Sequence, residues 1–340
     1  MNYAIILAGG IGSRFWPLSK DIQPKQFLRI FTKKTFLEET IIRIRPLFKQ
    51  ENIYIATHQN YCQRIKKICR QIKLKNFFFE PEAKNTLPCI AFLSYQIYQA
   101  DREAVIAVFP SDHLIRNSSR FRKVINKAMQ IAKKGHIITL GIKPKRPETG
   151  YGYIKVDFKD DLKVFKVDRF IEKPSLLRAK RFIKDKRYYW NSGIFVFKAE
   201  TMLKEIKRYQ NVLYKLISRI KNKNDLKRFW QRLPALSIDY GIMEKTKKAL
   251  LIVANCGWLD LGSWQALTEV FKKDKSGNIF KGDCLDKDSK NLFVWADKRI
   301  VATIGLNNLI VVDTDDAVLI CAKDKTQQIK EIVQRLNYLK

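Results

Sequence analysis

The segment Leu7-Ala8-Gly9-Gly10-Ile11-Gly12-Ser13-Arg14 follows an apolar run, Tyr3 to Leu7, and is trailed by Pro24-Lys25-Gln26. A buried strand that ends in clustered glycines, with two cations close behind, has the make-up of a phosphate-binding loop. The glycines bring backbone N–H groups near phosphate oxygens and adopt positive φ, while Arg14 and Lys25 neutralise a polyanion. A plain strand-to-helix turn would account for the glycines but not for the cations. Gly10-x-Gly12 lacks the third glycine of a dinucleotide fingerprint, since position 15 is Phe15, and no Gly-Lys-Ser/Thr follows as in a Walker loop. The residues read as a nucleotide phosphate cradle of neither standard type.

A polyanion in such a cradle calls for a divalent cation, and two carboxylates are placed to hold one. Asp112, in Pro110-Ser111-Asp112-His113, follows an apolar strand; Asp260, in Gly257-Trp258-Leu259-Asp260-Leu261-Gly262, follows another and precedes a glycine turn. Mg²⁺ takes oxygen ligands and is commonly held by one or two carboxylates plus substrate phosphates. Either aspartate alone is more often a helix cap or turn residue; the pair is what points to the ion.

Further polar groups suit a sugar. Glu148-Thr149-Gly150-Tyr151-Gly152-Tyr153 puts two glycines at a strand entrance, where backbone can approach a sugar or base closely. In Glu172-Lys173-Pro174 the acid suits sugar hydroxyls and the lysine a phosphate, provided the strand ends there, because neighbouring side chains on a strand face opposite ways. Tyr189-Trp190-Asn191-Ser192-Gly193 offers an amide and aromatics of the kind that contact carbohydrate, although a buried turn explains it nearly as well. The three histidines, His58, His113 and His136, are too scattered for a histidine metal site, and no Gly-x-Ser-x-Gly nucleophile is present.

The elements that position these groups alternate between short apolar runs and helix-period stretches. Tyr3–Leu7, Ile53–Thr57, Phe77–Phe79, Val105–Phe109 and Ile137–Leu140 read as strands; the stretches near Phe36–Leu47, Tyr61–Ile72, Thr86–Ala100 and Phe121–Ala132 read as crossover helices of a parallel sheet. Ligands of such sheets bind at the carboxyl ends of the strands, where Gly9-Gly10 and Ser111-Asp112 fall. Tyr153–Val156, Val164–Ile171 and Gly193–Phe197 lack regular crossover helices and suggest an antiparallel extension of the sheet, followed by helices at Ala199–Arg208, Val212–Lys221 and Leu226–Arg232 and a strand at Leu250–Ala254. From Asn291, short runs at Leu292–Trp295, Ile300–Ile304, Leu309–Val312 and Ala317–Cys321 suggest a small β-solenoid or sandwich, closed by an amphipathic helix from Thr326 to Leu339. Asp313-x-Asp315-Asp316 reads as a solvated turn. The fold class is α/β: a Rossmann-like mixed sheet over residues 1–275 and a small β-helix-like domain over residues 285–340.

No stretch of the 340 residues approaches the ~20 consecutive apolar residues of a membrane span, so no membrane partner is expected. The amino terminus lacks a positive n-region, so no secretory signal is expected. Six cysteines without Cys-x-x-Cys spacing argue against zinc and against a disulfide framework, which makes the cytoplasm the default compartment. The net charge of +33 raises a nucleic-acid reading, but the cations are spread along the chain without a basic arm, and Lys, Ile, Phe, Tyr and Asn are abundant throughout, as AT-rich coding would produce. No specific nucleic-acid partner is expected on this ground.

Taken together, the motifs resemble the mannose-1-phosphate guanylyltransferases, a branch of the sugar-phosphate nucleotidyltransferase family. The resemblance rests on Leu7 to Lys20, Pro24-Lys-Gln-Phe-Leu28, Glu80-Pro-Glu-Ala-Lys-Asn-Thr86, Pro110 to His113, Pro147-Glu-Thr-Gly-Tyr-Gly-Tyr-Ile154, Glu172-Lys-Pro174, Trp190-Asn-Ser-Gly193, Ser237-Ile-Asp-Tyr240 with Met243-Glu-Lys245, and Asp260-Leu-Gly-Ser-Trp264. It covers nearly the whole chain in order. Leu259 stands where the family usually has Ser, and Leu87 and Cys89 where it tends to have Ala.

The resemblance implies an enzyme that transfers GMP from GTP to α-D-mannose 1-phosphate, yielding GDP-mannose and pyrophosphate with Mg²⁺ as cofactor. Arg14 and Lys25 would hold the triphosphate and the departing pyrophosphate, Lys173 the sugar phosphate, and Asp112 and Asp260 the metal. Leu7, Ala8, Gly9, Gly10, Gly12, Ser13 and Ser111 would contact the nucleotide, and Gly150, Tyr151, Gly152, Glu172, Asn191 and Asp239 the sugar phosphate. Guanine presents two adjacent donors and one acceptor, which the Glu80 carboxylate and the Asn85 amide can match. Another hexose-1-phosphate nucleotidyltransferase, a non-catalytic regulator of the same layout and a nucleic-acid-binding protein remain as alternatives. A homodimer is compatible with all of them.

Overall fold

The computed structural model describes residues 1–10, 12–157 and 164–338. Ile11 of the glycine loop and Leu339, the expected end of the last helix, lie outside the described residues. The chain divides into two compact units: Met1–Gly9, Glu38–Ser111 and Ile115–Trp258 form one, and Gly10–Leu37, Asp112–Leu114 and Leu259–Lys340 form the other.

The strands up to residue 260 are β1 (Asn2–Leu7), β2 (Ile53–His58), β3 (Phe77–Glu80), β4 (Val105–Pro110), β5 (His113–Ile115), β6 (Ile137–Ile142), β7 (Tyr153–Asp157), β8 (Val164–Ile171), β9 (Tyr188–Lys198), β10 (Ala249–Val253) and β11 (Trp258–Asp260). Nine of them build the sheet of the first unit in the order β3-β2-β1-β4-β9-β6-β10-β8-β7, while β5 and β11 form a separate pair. β3, β2, β1 and β4 run parallel, as the crossover pattern requires. From β1 the chain winds outward to β3 and then returns to the other side of β1 as β4. That reversal sets β1 and β4 side by side with their carboxyl ends at the same edge of the sheet, the edge at which ligands of such sheets bind, and these strands lead into Gly9 and Ser111.

The helices of this unit are α1 (Phe36–Ile44), α2 (Cys62–Ile68), α3 (Thr86–Ala100), α4 (Ser118–Ala132), α5 (Leu176–Phe182), α6 (Ala199–Tyr209), α7 (Asn211–Ile217) and α8 (Lys223–Trp230). Phe78, Phe92 and Trp230 interlock at ring separations of 4.8 to 6.2 Å within the core. The Trp230 indole N–H donates to the Glu82 carbonyl at 2.8 Å, satisfying its one buried polar atom. The expected stretch Phe36–Leu47 ends its α-helix at Ile44, because Pro46 cannot donate to the ladder and the chain tightens into a 3₁₀ turn over Arg45–Leu47.

One expectation about the sheet is corrected. Gly193–Phe197 is antiparallel, as expected, but it does not extend the sheet outward: it belongs to the eleven-residue β9, inserted between β4 and β6 at the centre of the sheet. Ile194 to Phe197 are at most 2% exposed, the mark of a strand covered on both faces. Helix α5 also stands between β8 and β9, where no helix was expected.

In the second unit, α9 (Trp264–Leu267) precedes β12 (Ile279–Lys281), β13 (Cys284–Lys287), β14 (Phe293–Trp295), β15 (Val301–Ile304), β16 (Leu309–Asp313), β17 (Val318–Ala322) and α10 (Ile329–Tyr338). β12, β14 and β16 stack in parallel, as do β13 and β15, so successive coils superpose as in a β-solenoid and not as in a sandwich of antiparallel hairpins. β17 closes the larger stack antiparallel. The core of this unit joins Phe15, Leu28, Leu261 and Trp264 to Phe293, Ile310 and Val312. The expected solvated turn is corrected at Asp313, which is buried and pairs with Arg299; Asp315 and Asp316 pair with Lys298 and Lys20.

Candidate active site

The loop after β1 is clamped at its root. The Ala8 amide donates to the Ala56 carbonyl at 2.7 Å, the Thr57 hydroxyl donates to the Ala8 carbonyl at 2.8 Å, and the Ser111 amide donates to the Leu7 carbonyl at 3.0 Å. Gly9 and Gly10 follow these tethers. A Cβ at Gly10 would meet nothing within 4 Å, and one at Gly9 would meet only the Glu80 carboxylate at 3.6 Å, so both backbones are open to close approach.

Gly12 answers a different requirement. It adopts φ 76°, and a Cβ there would lie 2.4 Å from the Cβ of Lys25. The glycine lets the Lys25 stem pack directly on the loop, with the ammonium 5.3 Å from the Phe15 ring centroid. Ser13 opens the 3₁₀ turn Ser13–Phe15.

Seated this way, the Lys25 ammonium bridges the two aspartates, 2.8 Å from Asp112 Oδ2 and 3.6 Å from Asp260 Oδ1. Burial alone would favour the neutral Asp112 carboxyl, but the Lys25 ammonium and His113 outweigh it and hold its pKa below the ordinary carboxylate value. Asp112, His113 and Asp260 each offer a ligand atom, all within 4.8 Å of one another. His113 joins this cluster although its isolation among scattered histidines argued against a metal role. Its adjacency to Asp112 was the available signal. A Cβ at Gly262 would lie 3.4 Å from Asp260 Oδ2 and 3.7 Å from Arg14 Nη1, which puts the Arg14 guanidinium on the Asp260 side of the cluster.

A second constellation lies in the first unit. The Asn191 amide donates to Asp239 Oδ1 at 2.8 Å, while its own oxygen accepts from the Gly193 amide at 3.1 Å and the Thr139 hydroxyl at 3.3 Å. Two donors on the oxygen fix which way the amide faces. Gly152 is bound between Glu172 and Asn191: a Cβ there would lie 2.5 Å from Glu172 Oε2 and 3.4 Å from the Asn191 Cβ. Asp239 opens a π-helical turn, Asp239–Met243, that carries its carboxylate into this group. Burial first, and then the charge of Glu172, push its pKa up to about 6, against the Asn191 hydrogen bond.

Strand β8 ends at Ile171, so Glu172 and Lys173 converge instead of facing opposite ways, and their side chains meet at 2.8 Å. Lys173 adopts φ 45°, a left-handed conformation that is uncommon for a lysine. The Gly150 amide donates to Glu148 at 3.0 Å. Tyr151 packs edge-on against Trp190 and Trp258, at 5.3 and 5.5 Å, so its ring is committed to packing.

Glu80, the last residue of β3, is 8% exposed beneath Gly9. Burial pushes its pKa up to about 7, opposed by a hydrogen bond from the Cys89 thiol. Asn85 is the N-cap of α3, its side-chain oxygen accepting from the Thr86 amide at 2.9 Å. Sequence reasoning did not single out Thr139, whose signal exists only in the fold.

Comparison with known proteins bears on this geometry. Residues 3–277 match the nucleotidyl transferase family profile, and residues 282–336 match the MannoseP isomerase/GMP-like beta-helix domain. The chain is 37% identical over 348 residues to a mannose-1-phosphate guanylyltransferase of Klebsiella pneumoniae, covering 99% of this chain and 74% of the relative. The chain belongs to the mannose-1-phosphate guanylyltransferase family of nucleotidyl transferases. It is also 36% identical over 341 residues to the xanthan biosynthesis protein XanB of Xanthomonas campestris, covering 98% of this chain and 72% of that one. A solved structure from Thermus thermophilus, titled a mannose-1-phosphate geranyltransferase, superposes with a TM-score of 0.91 at 32% identity and 99% coverage of both chains. Among the described residues, no helix is long and apolar enough to cross a membrane.

Proposed function

We propose that this family member transfers GMP from GTP to α-D-mannose 1-phosphate, forming GDP-mannose and pyrophosphate. The Lys25 ammonium seated between Asp112 and Asp260 carries the reading, because catalysis between two polyanions is chiefly positioning and charge neutralisation. An oxygen of the sugar phosphate attacks the α-phosphorus, a new P–O bond forms, and the bond to the β-phosphate oxygen breaks. The attacking phosphate is already ionised, so no general base is required.

The donor set of Asp112, Asp260 and the adjacent imidazole suits a divalent cation, and Mg²⁺ held there supplies charge neutralisation at the transferring phosphoryl group. Lys25 and Arg14 hold the triphosphate and then the pyrophosphate. Leu7, Ala8, Gly9, Gly10, Gly12, Ser13 and Ser111 contact the nucleotide, and Lys173 takes the sugar phosphate. Gly150 and Gly152, Glu172, Asn191 and Asp239 take the sugar, with Tyr151 contributing its backbone while its ring packs on Trp190 and Trp258. Glu80 reads guanine with Asn85. A buried carboxylate whose charge is destabilised by desolvation gains most from the two N–H donors that guanine presents. Residues 1–275 carry these groups and residues 285–340 support them. We further propose a cytoplasmic homodimer with no specific nucleic-acid partner.

The decisive experiment measures pyrophosphate release over a matrix of nucleoside triphosphates and sugar 1-phosphates. GTP with mannose 1-phosphate should give the highest kcat/KM. Comparable or faster turnover with another base or hexose, or none with this pair, would overturn the assignment.

A further inference from the structure

Helix α5 and the turn after it carry a feature that the transfer reaction does not use. Leu176 and Leu177 are 52% and 63% exposed and Ile183 is 37% exposed, an apolar strip on the surface of the first unit. Arg178, Lys180, Arg181 and Lys184 are exposed around it. Between residues 173 and 187 the sequence holds seven cations and one acid, Asp185, which Arg187 already neutralises at 2.8 Å.

The helix is held firmly from beneath. Ala179 is fully buried, and the Phe182 ring stacks on Tyr188 at 4.2 Å and lies 5.4 Å from Tyr153. The leucines therefore face solvent because the packing of the inner face puts them there, and not because the segment frays. Contiguous exposed aliphatic side chains ringed by cations are costly in water and are matched by one kind of surface: anionic headgroups over an acyl layer.

We propose that the outer face of α5 docks this protein on an anionic lipid surface, with Leu176 and Leu177 entering the headgroup–acyl boundary and the surrounding cations pairing with lipid phosphates. A nucleic acid matches the charge but leaves the leucines in water, and the aromatic platforms that stack bases are absent from the exposed residues of this strip.

Full-length protein would be sedimented with phosphatidylglycerol/phosphatidylcholine vesicles at ~150 mM salt, beside pure phosphatidylcholine vesicles and a free DNA duplex as probes. Binding to the mixed vesicles only is expected. Leu176→Ser with Leu177→Ser should lower the partition coefficient by about tenfold, and Lys180→Gln, Arg181→Gln and Lys184→Gln by at least about tenfold. Lys75→Gln, Lys123→Gln and Lys134→Gln, exposed on other elements, control for net charge and should have a smaller effect than the α5 set. Each variant should keep wild-type pyrophosphate release with soluble substrates, which shows that it is folded. Equal binding to pure phosphatidylcholine, no loss in the leucine variant, equal loss in both triple-charge variants, or tighter binding to the duplex than to vesicles would each overturn the proposal.

Discussion

The Asn191 amide of β9 donates to the Asp239 carboxylate at 2.8 Å, joining a residue at the centre of the sheet to a π-helical turn 48 positions further along the chain. The bond orients one half-buried acid against another, Glu172, and only a glycine at position 152 fits beside them without displacing Glu172. It makes this corner of the first unit a rigid set of acceptors.

Gly152→Ala tests that rigidity. Its Cβ would fall 2.5 Å from Glu172 Oε2, the tip of a side chain that can swing aside, so the fold should tolerate the change while the carboxylate is displaced. We expect the KM for the sugar 1-phosphate to rise at least about tenfold, with the unfolding midpoint unchanged and the KM for the nucleotide little altered. Unaltered sugar kinetics would remove Glu172 from sugar binding.

Gly12→Ala behaves differently, because the new methyl would meet the Cβ of Lys25 at 2.4 Å in a backbone held at φ 76°. Neither the loop nor the lysine stem can yield cheaply. Unfolding in denaturant should show a loss of roughly 1–3 kcal/mol, together with reduced turnover as Lys25 is pushed from Asp112.

Asp112→Asn and Asp260→Asn should each cut turnover by at least about a hundredfold with the fold intact, since each removes a charged group from the centre that organises two polyanions. Pyrophosphate release at saturating Mg²⁺ is the measurement. Near-normal rates in either variant would sink the two-aspartate assignment.

Glu80→Gln should narrow the preference for GTP over ATP by at least about tenfold, one charge-assisted hydrogen bond being worth roughly 1.5–3 kcal/mol. The ratio of kcat/KM values reads it directly, and an unchanged ratio would place guanine recognition elsewhere.

The same residue gives a pH signature in the unliganded protein. Glu80 is raised from 4.5 to about 7 by burial, so the native state binds its proton more tightly than the unfolded chain does. The stability it contributes is complete below pH ~4.5 and is lost as pH rises through about 7. Glu80→Gln removes that loss. The stability of the variant relative to wild type should grow between pH ~4.5 and ~7, by at most roughly 3 kcal/mol. A difference that stays flat in urea titrations across that range would show that Glu80 is not desolvated.

The amino-acid sequence by itself determined the parallel half of the sheet, the loop chemistry and the inventory of acids and cations. These are local properties: the length of an apolar run, the glycine or proline that ends it, and the polar residue that follows. The glycine loop, Asp112 and Asp260 were legible because strand ends are legible. Tertiary structure decided the rest. Hydrophobic periodicity says which faces are apolar but not which strand lies beside which, so β9 could pass for an edge strand when its place is between β4 and β6. The parallel stacking of β12, β14 and β16 depends on register between coils about 14 to 17 residues apart, which short strands do not encode one by one. Burial is likewise a property of the assembled core: it hides Asp313 in a turn that reads as solvated, raises Glu80 and Asp239 toward neutrality, and draws His113 into a cluster with residues distant in sequence. Desolvation and proximity are set by contacts between distant segments, and those contacts exist only once the chain has folded.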